Sequence, residues 1–223
     1  MAIPRITHLQ LESITTDEDD GVALNFRPAR APTFIAGQHA FWQVPGGGIH
    51  PFTIASAPNE DIVTLGTRFG SGTRLKRALA ALTADDVVRL IGPLGSFTLE
   101  GTEPGVVMLA QGVGVTPFRS MLRQLGGAKR TKLVQVGVRH PFRADTEPLA
   151  GRSMYVRSRS AFATALDEVT ADPRATTYFV SGSVAFVGET VTALRERSIQ
   201  REAIRRDRFW GASTGGPEQV AAA

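Results

Sequence analysis

The stretch VVMLAQGVGVTP, at residues 106–117, decides the fold of this 223-residue chain. Five apolar residues in a row, Val106–Ala110, are typical of a parallel strand that is buried on both faces. Two glycines follow, and then Thr116 and Pro117; proline is favoured in the first turn of a helix, where its missing N–H costs nothing. The stretch therefore predicts a buried strand, a tight turn and a helix.

The turn itself is a candidate ligand site. Gly112 and Gly114 let the backbone bend sharply and approach a ligand closely. The N–H groups at the start of the next helix suit a phosphate. The spacing differs from the dinucleotide fingerprint Gly-x-Gly-x-x-Gly, because Pro117 ends the turn. An ordinary strand–helix connection is the alternative at this point.

Beyond the turn, strands and helices alternate, which predicts a parallel sheet with right-handed crossovers. The predicted helices are Phe118–Leu125, Ala161–Val169 and Ala185–Arg197, and the further predicted strands are Lys132–Val138, Ser153–Val156 and Tyr178–Val180.

Before the turn, the chain has short segments of alternating hydrophobicity between glycine, proline, aspartate and asparagine clusters, which predicts an antiparallel barrel. The six predicted strands are Ile6–Leu11, Val22–Phe26, His39–Val44, Phe52–Ala55, Ile62–Thr67 and Val87–Ile91. One helix, Thr73–Leu82, interrupts them, with Thr73 as its N-cap. We expect an α+β chain of two domains, a six-stranded antiparallel β-barrel at 1–101 and a parallel α/β domain at 102–214, with a disordered tail at 215–223.

Composition excludes several classes of protein. The chain has no cysteine, which removes disulfides, thiolate nucleophiles and all-cysteine metal clusters. Its four histidines have no metal-ligand spacing, and no nucleic-acid reader motif is present. No apolar run is long enough to span a bilayer, and the N-terminus does not have the pattern of a signal peptide, so we expect a cytoplasmic protein. The net charge of +4 favours phosphorylated cofactors or an acidic partner.

Five motifs in sequence order resemble the ferredoxin–NADP reductase superfamily. The stretch HPFTIAS at residues 50–56 is similar to the Arg-x-Tyr-Ser/Thr signature and following Ile-Ala-Ser of that superfamily's barrel domain, and the glycine turn is similar to its Gly-Gly-x-Gly-Ile/Val-Thr-Pro element. GPLGSF at 92–97, VSGS at 180–183 and DRFWG at 207–211 are similar to three further elements. The resemblance implies an FAD-binding barrel followed by an NAD(P)-binding domain.

By this resemblance, Phe52 stacks on the flavin ring and the Thr53 hydroxyl faces flavin N5. The turn Gly70–Thr73 binds the flavin diphosphate, with Arg74 and Lys76 adding charge. Thr53 and Ser181 are the implied catalytic residues. The implied flavin-binding residues are His50, Pro51, Phe52, Thr53, Gly70, Gly72, Thr73, Arg74 and Trp210.

The implied nicotinamide site combines Gly112, Gly114 and Thr116 at the diphosphate with Arg157, Ser158 and Arg159 at the adenosine 2′-phosphate. Two guanidiniums and a hydroxyl suit a dianionic phosphate, which favours NADPH over NADH, and a solvated basic loop is the alternative.

Four residues depart from the family pattern. His50 replaces an arginine that pairs with flavin phosphate, and a histidine cannot make the same bidentate fork. Phe52, Gln111 and Ser181 replace a tyrosine, a glycine and a frequent cysteine.

The expected function is hydride transfer from NAD(P)H to bound FAD, and electron transfer onward to an acceptor such as ferredoxin or flavodoxin. The net positive charge favours an acidic redox protein as the acceptor. Two alternatives stay open: a flavin or ferric reductase that uses flavin as a substrate, and a non-catalytic nucleotide-binding subunit of a redox complex.

Overall fold

The structure is a computed structural model that describes residues 5–70, 72–102, 105–172 and 177–209. By packing, the chain divides into two compact units. The first unit comprises the residues up to Leu99 together with Thr116–Gln124, and the second comprises Glu100–Val115 and the residues from Leu125 onward.

The first unit is built on a curled antiparallel sheet of six strands, as the alternating pattern predicts. Its elements are β1 (Arg5–Thr16), β2 (Val22–Pro28), β3 (His39–Val44), β4 (Gly48–Thr53), β5 (Val63–Thr67), α1 (Arg74–Ala80) and β6 (Val87–Leu94). The sheet order is β4-β3-β6-β1-β2-β5, and the sheet curls into a half-barrel, with an isolated bridge between Ile54, directly after β4, and Leu65 of β5.

Alternation along the strands fills the interior of this sheet. On β3, Ala40, Trp42 and Val44 are buried, whereas Phe41 is 39% exposed. The Trp42 indole N–H donates to the carbonyl of Phe52 on the neighbouring strand at 3.1 Å. The buried polar end of this large side chain is therefore satisfied.

Strand β4 differs from the prediction of Phe52–Ala55, because it begins at Gly48 and ends at Thr53. Gly46 and Gly48 have φ angles of 67° and 92°, so a tight hairpin turn joins β3 directly to β4. Pro51 lies inside the observed strand. An edge strand tolerates proline, because the missing N–H can lie on its unpaired side.

The second unit contains the expected parallel sheet, with helices between the strands. Its strands are β7 (Val106–Gln111), β8 (Ala128–Val136), β9 (Ala150–Val156), β10 (Thr177–Ser183) and β11 (Ile204–Phe209). Their order in the sheet is β11-β10-β7-β8-β9. The helices after β7 are α2 (Thr116–Leu125), α3 (Arg143–Thr146), α4 (Arg159–Thr170) and α5 (Val184–Glu196), of which α2 packs with the first unit.

Three features of the second unit were not predicted. Strand β11 is a fifth strand of the sheet. It lies at the sheet edge, so its charged sequence IRRDRF does not show the apolar pattern of a buried strand. The short helix α3 has no apolar periodicity. The strand predicted to reach Val138 ends at Val136, because Gly137 turns the chain at φ +150° and leaves Val138 64% exposed.

Candidate functional site

The glycine turn has a geometry that requires glycine at both positions. Gly112 has a φ of +52°, in the left-handed region that other residues rarely adopt. A Cβ on Gly114 would lie 2.3 Å from the carbonyl oxygen of Ser181 and 2.9 Å from the Cα of Gly182. The turn Gly112–Val115 is a short 3-10 helix, and Thr116 begins α2 directly after it. The loop after β7 is therefore pressed against the end of β10.

Ser181 lies at this point of close approach, on β10. Its side chain is fully buried, and among the described residues its hydroxyl has no hydrogen-bond partner. The next serine, Ser183, donates to Gln111 Oε1 at 2.7 Å and accepts from the Phe186 N–H at 3.2 Å, capping α5. The Ser183–Gln111 contact thus joins the ends of β7 and β10 two residues beyond Ser181.

Asp207 is a candidate residue for which the sequence analysis assigned no role. It lies opposite Ser181 in the register between β10 and β11. Burial raises the pKa of Asp207 to about 6, although the Arg208 backbone N–H opposes the shift. A carboxyl group with such a pKa can exchange a proton near neutral pH. A single acid within the basic run Arg205–Arg208 is the sequence signal that could have identified it.

The predicted 2′-phosphate residues lie where β9 leads into α4. Ser158 caps α4, since its hydroxyl oxygen accepts from the Ala161 N–H at 3.1 Å. Arg157 and Arg159 flank this cap and are exposed. Within the described ranges no carboxylate forms an ion pair with either guanidinium, so the cap presents two positive charges to solvent.

In the first unit, β4 carries the four predicted residues of the HPFT motif. His50 and Phe52 pair with the inward-facing Trp42 and Ala40 and are half-buried, whereas Pro51 is exposed on the other side. Thr53 is 5% exposed at the strand end. Phe52 packs against the hydrophobic core of the unit.

Two of the predicted flavin-binding side chains contact carbonyl groups of the β3–β4 hairpin. The His50 ring Nε2 lies 3.1 Å from the Gly47 carbonyl oxygen. Arg74 Nε donates to the neighbouring Gly46 carbonyl at 2.8 Å. Both groups would have to exchange or share these carbonyl partners to bind a phosphate.

The start of α1 forms the other half of this region. Thr73 is the N-cap, as predicted, and accepts from the Lys76 N–H at 3.3 Å. Gly72 has a φ of +57°, and Gly70 is exposed. Ser71 in this turn and the predicted cofactor residue Trp210 lie outside the described residues, as does the predicted tail at 215–223.

Lys76 links the start of α1 to strand β4 within the first unit. Its ammonium group contacts the Thr67 hydroxyl and lies 5.3 Å from the centroid of the Phe52 ring. Burial lowers the pKa of Lys76 to about 8. Within the described part of the chain no carboxylate pairs with this ammonium. A partly desolvated cation without an acidic partner is unfavourable unless an anion binds beside it.

Helix α2 is held on the first unit by polar contacts with the loop after β4. Arg119 donates to the Ala55 carbonyl at 2.8 Å, and the Ser120 hydroxyl donates to the Ser56 carbonyl at 2.6 Å. Arg123 pairs with Glu60 at 2.5 Å. The chain therefore passes directly from the glycine turn into a helix that is anchored beside the Ile-Ala-Ser segment.

Comparison with known proteins gives partial sequence relatives. No family model matches the chain. It is 40% identical over 84 residues to human dual oxidase 1, covering 34% of this chain and 5% of that protein. It is 30% identical over 111 residues to the 2-halobenzoate 1,2-dioxygenase electron transfer component of Burkholderia cepacia, covering 49% and 33%, respectively. It is 34% identical over 110 residues to ferredoxin–NADP reductase B of Sorangium cellulosum, covering 45% and 44%. The chain thus matches less than half the length of each of these relatives.

Solved structures share the fold over nearly the whole chain. The Amycolatopsis cytochrome P450 reductase superposes with a TM-score of 0.77 and 23% identity, covering 92% of this chain and 70% of that one. The ferredoxin NADP⁺ reductase of Neisseria gonorrhoeae, solved with bound FAD and NADP, gives 0.73 and 18%, covering 93% and 99%. The chain therefore has the same two-part fold as these reductases, a curled antiparallel sheet followed by a parallel α/β unit, which is the fold that the resemblance to the ferredoxin–NADP reductase superfamily implies.

No helix within the described ranges is long and apolar enough to cross a membrane.

Proposed function

We propose that this chain is an NAD(P)H-dependent flavin oxidoreductase that passes electrons from a nicotinamide nucleotide through FAD to a redox partner. The observation that carries the proposal is the glycine turn after the central strand β7. In open parallel sheets, ligands bind at the carboxyl ends of the strands. A turn there that needs glycine at both Gly112 and Gly114 offers backbone N–H groups without side chains to obstruct a diphosphate.

The nicotinamide nucleotide is proposed to bind along this end of the sheet. Gly112, Gly114 and Thr116 serve the diphosphate, and Arg157 and Arg159 serve the adenosine 2′-phosphate on either side of Ser158. These two guanidiniums have no acidic partner among the described residues and can therefore form bidentate contacts with a phosphate. This supports NADPH as the preferred donor over NADH.

The residues of the first unit fit FAD, an anionic and aromatic ligand. Lys76 supplies a partly buried positive charge that no carboxylate of the described residues pairs with, and Phe52 beside it supplies an aromatic face. The turn Gly70–Thr73 supplies backbone N–H groups near Arg74, with Gly72 in the left-handed region. His50 and Pro51 complete the predicted set on β4.

When bound, the two cofactors would supply the redox chemistry, a hydride transfer from the nicotinamide to the flavin. The chain's part would be to orient the rings. Phe52 would stack on the flavin, and Thr53 would offer its hydroxyl to the flavin ring. Ser181, whose buried hydroxyl has no partner among the described residues, is proposed to contact the nicotinamide.

The acceptor is proposed to be an acidic redox protein, such as a ferredoxin or flavodoxin, or the oxygenase component of a two-protein system. The net charge of +4 favours the encounter with an acidic partner. Two partial relatives are the electron transfer components of 2-halobenzoate and toluate 1,2-dioxygenases, which supports a protein acceptor over a small molecule.

A second candidate is a reductase that takes up flavin as a substrate and releases it after reduction. The hydrogen bonds of His50 and Arg74 to the Gly47 and Gly46 carbonyls favour this candidate. Two expected phosphate ligands are already engaged there, which lowers the gain in free energy on binding FAD.

The test is an absorbance spectrum of the purified protein, followed by addition of FAD and anaerobic titration with NADPH or NADH. We expect flavin bands that survive desalting and disappear on addition of NADPH. Protein that loses flavin on desalting but reduces added flavin would establish the second candidate. Protein that neither retains nor bleaches flavin would overturn both, and would favour a non-catalytic nucleotide-binding subunit.

A further inference from the structure

Gln135 on β8 has a fully buried side-chain amide. Its side chain is 0% exposed. In the sheet it lies between Ala110 of β7 and Tyr155 of β9. Central positions of parallel strands are normally apolar, so a buried glutamine there calls for an explanation in terms of its partners.

The amide nitrogen of Gln135 bridges two loops. Nε2 donates to the Pro141 carbonyl oxygen at 3.0 Å and lies 3.4 Å from the Gly112 carbonyl oxygen. Both partners are carbonyl oxygens, which only the NH₂ end of the amide can satisfy, so the orientation of the side chain is determined. One side chain thus connects the loop that leaves β7 with the loop that leaves β8.

Both loops have backbones that need such a restraint. Gly112 opens the glycine turn in the left-handed region, and the buried Phe142, directly after Pro141, also has a positive φ, of 61°. A bulky residue in that region persists only where its surroundings hold it. The Gln135 amide holds the carbonyl before Phe142 and the first carbonyl of the turn at the same time.

The other end of the amide is buried and has no partner within the described ranges. Oε1 of Gln135 and the Ser181 hydroxyl are two such atoms. They lie in one row across adjacent strands, because Ser181 is opposite Ala110 and Ala110 is opposite Gln135. Tyr155 lies opposite Gln135 in the same row, and its hydroxyl interacts with Ser153 and Thr146. Buried polar atoms are normally satisfied, so this row beneath the glycine turn indicates bound water or ligand atoms.

We propose that Gln135 is a positioning residue for the nicotinamide nucleotide: its amide fixes the glycine turn in the conformation that receives the diphosphate, and couples that turn to the loop after β8. The inference rests on the proposed function, because it assigns the diphosphate to the turn. Hydrophobic residues of the same size would fill the space but leave both carbonyls without a donor.

The test compares Gln135→Met, which keeps the volume and removes both donors, with Tyr155→Phe, which removes a hydroxyl from the same row and leaves the Gln135 amide in place. Isothermal titration with NADP⁺ and with adenosine 2′-monophosphate, which lacks the diphosphate, separates the two parts of the nucleotide. We expect Gln135→Met to weaken NADP⁺ binding roughly tenfold, the effect of losing two neutral hydrogen bonds, and to leave binding of adenosine 2′-monophosphate unchanged. The KM for NADPH should rise by a similar factor, with kcat within about twofold.

Equal NADP⁺ affinity in Gln135→Met and wild type would overturn the proposal. Equal weakening of NADP⁺ binding by Tyr155→Phe, or equal weakening of adenosine 2′-monophosphate binding by Gln135→Met, would overturn it as well.

Amide hydrogen exchange of the unliganded protein tests the same claim without any nucleotide. Faster exchange confined to 112–115 and 138–142 in Gln135→Met is expected, and unchanged exchange there contradicts it. If wild type binds no nicotinamide nucleotide, the proposed function fails, and the exchange result still decides whether Gln135 holds the two loops. Gln135→Asn, which keeps the amide but shortens it, replaces the methionine variant if that variant does not fold.

Discussion

At the scale of single residues, Gly114 gives the sharpest test of the turn. An alanine there would place its Cβ 2.3 Å from the Ser181 carbonyl oxygen, which belongs to a buried strand and cannot move aside freely. We expect Gly114→Ala to lower the free energy of unfolding by about 2 kcal/mol or more. The matched control is Gly188→Ala in α5, where nothing lies within 4 Å of the added Cβ. That change should stabilise by up to about 1 kcal/mol. Chemical denaturation measures both, and equal stability of the two variants would refute the close approach.

Asp207 predicts a pH dependence of stability. Its pKa rises from an ordinary 3.8 to about 6 on folding, so the folded protein binds this proton more tightly than the unfolded chain. The stability that this proton contributes is present below about pH 4 and is lost as the pH rises through about 6. The asparagine of Asp207→Asn does not titrate, so the variant does not lose stability in this way as the pH rises. We expect the stability of Asp207→Asn relative to wild type to increase by about 1–3 kcal/mol between about pH 4 and pH 7. A difference that stays constant over this range, measured by denaturation at each pH, would contradict the burial of the carboxylate.

The partly buried charge of Lys76 leads to a prediction about the proposed binding of FAD to the first unit. Removing its charge with Lys76→Met should weaken FAD binding by roughly tenfold or more, the effect of losing a charge-assisted contact. Because the pKa of Lys76 is about 8, wild-type affinity should fall as the pH rises through that value, whereas the variant should show no such fall. Lys129→Met, an exposed lysine in the second unit, removes the same charge and serves as control. Fluorescence titration gives the affinities, and equal losses in the two variants would count against a local role for Lys76.

At the scale of elements, α2 is the helix whose packing is least expected from sequence. It follows the glycine turn, yet Arg119, Ser120 and Arg123 attach it to the loop after β4. Ser120→Ala should leave the buried Ser56 carbonyl without its donor and cost about 1–3 kcal/mol of stability. Thr192→Ala serves as control, because that residue is exposed and its hydroxyl donates to the Gly188 carbonyl within its own helix. A Ser120→Ala variant as stable as this control would show that the contact contributes nothing.

Periodicity predicted most elements, and its failures have physical causes. The alternation of β3 and the apolar run of β7 identify strands because each reports directly which faces are buried. Strand β11 was not predicted from the sequence, because its arginines lie on an edge strand and not in a core. The bounds of β4 were wrong because Pro51 breaks a central strand but not an edge strand.

The candidate site could be predicted only in part. Motif order located the glycine turn, the HPFT segment and the Arg157–Arg159 loop. The hydrogen bonds of His50 and Arg74 to the hairpin, and the burial of Lys76 against Phe52, depend on contacts between residues distant in sequence. The same holds for Gln135, because its partners Gly112 and Pro141 are set by the pairing of β7 with β8. No single-sequence pattern encodes such contacts.

At the scale of the whole molecule, we propose that the first unit binds FAD, that the second binds NADPH, and that hydride passes between the two cofactors. Anaerobic mixing of the FAD-loaded protein with NADPH carrying deuterium at C4 tests it most directly. The account predicts that one equivalent of NADPH bleaches one bound flavin, and that deuterium at the transferred position slows the bleaching. Flavin that stays oxidised with both NADPH and NADH, or a nucleotide that binds without any change in the flavin spectrum, would contradict it.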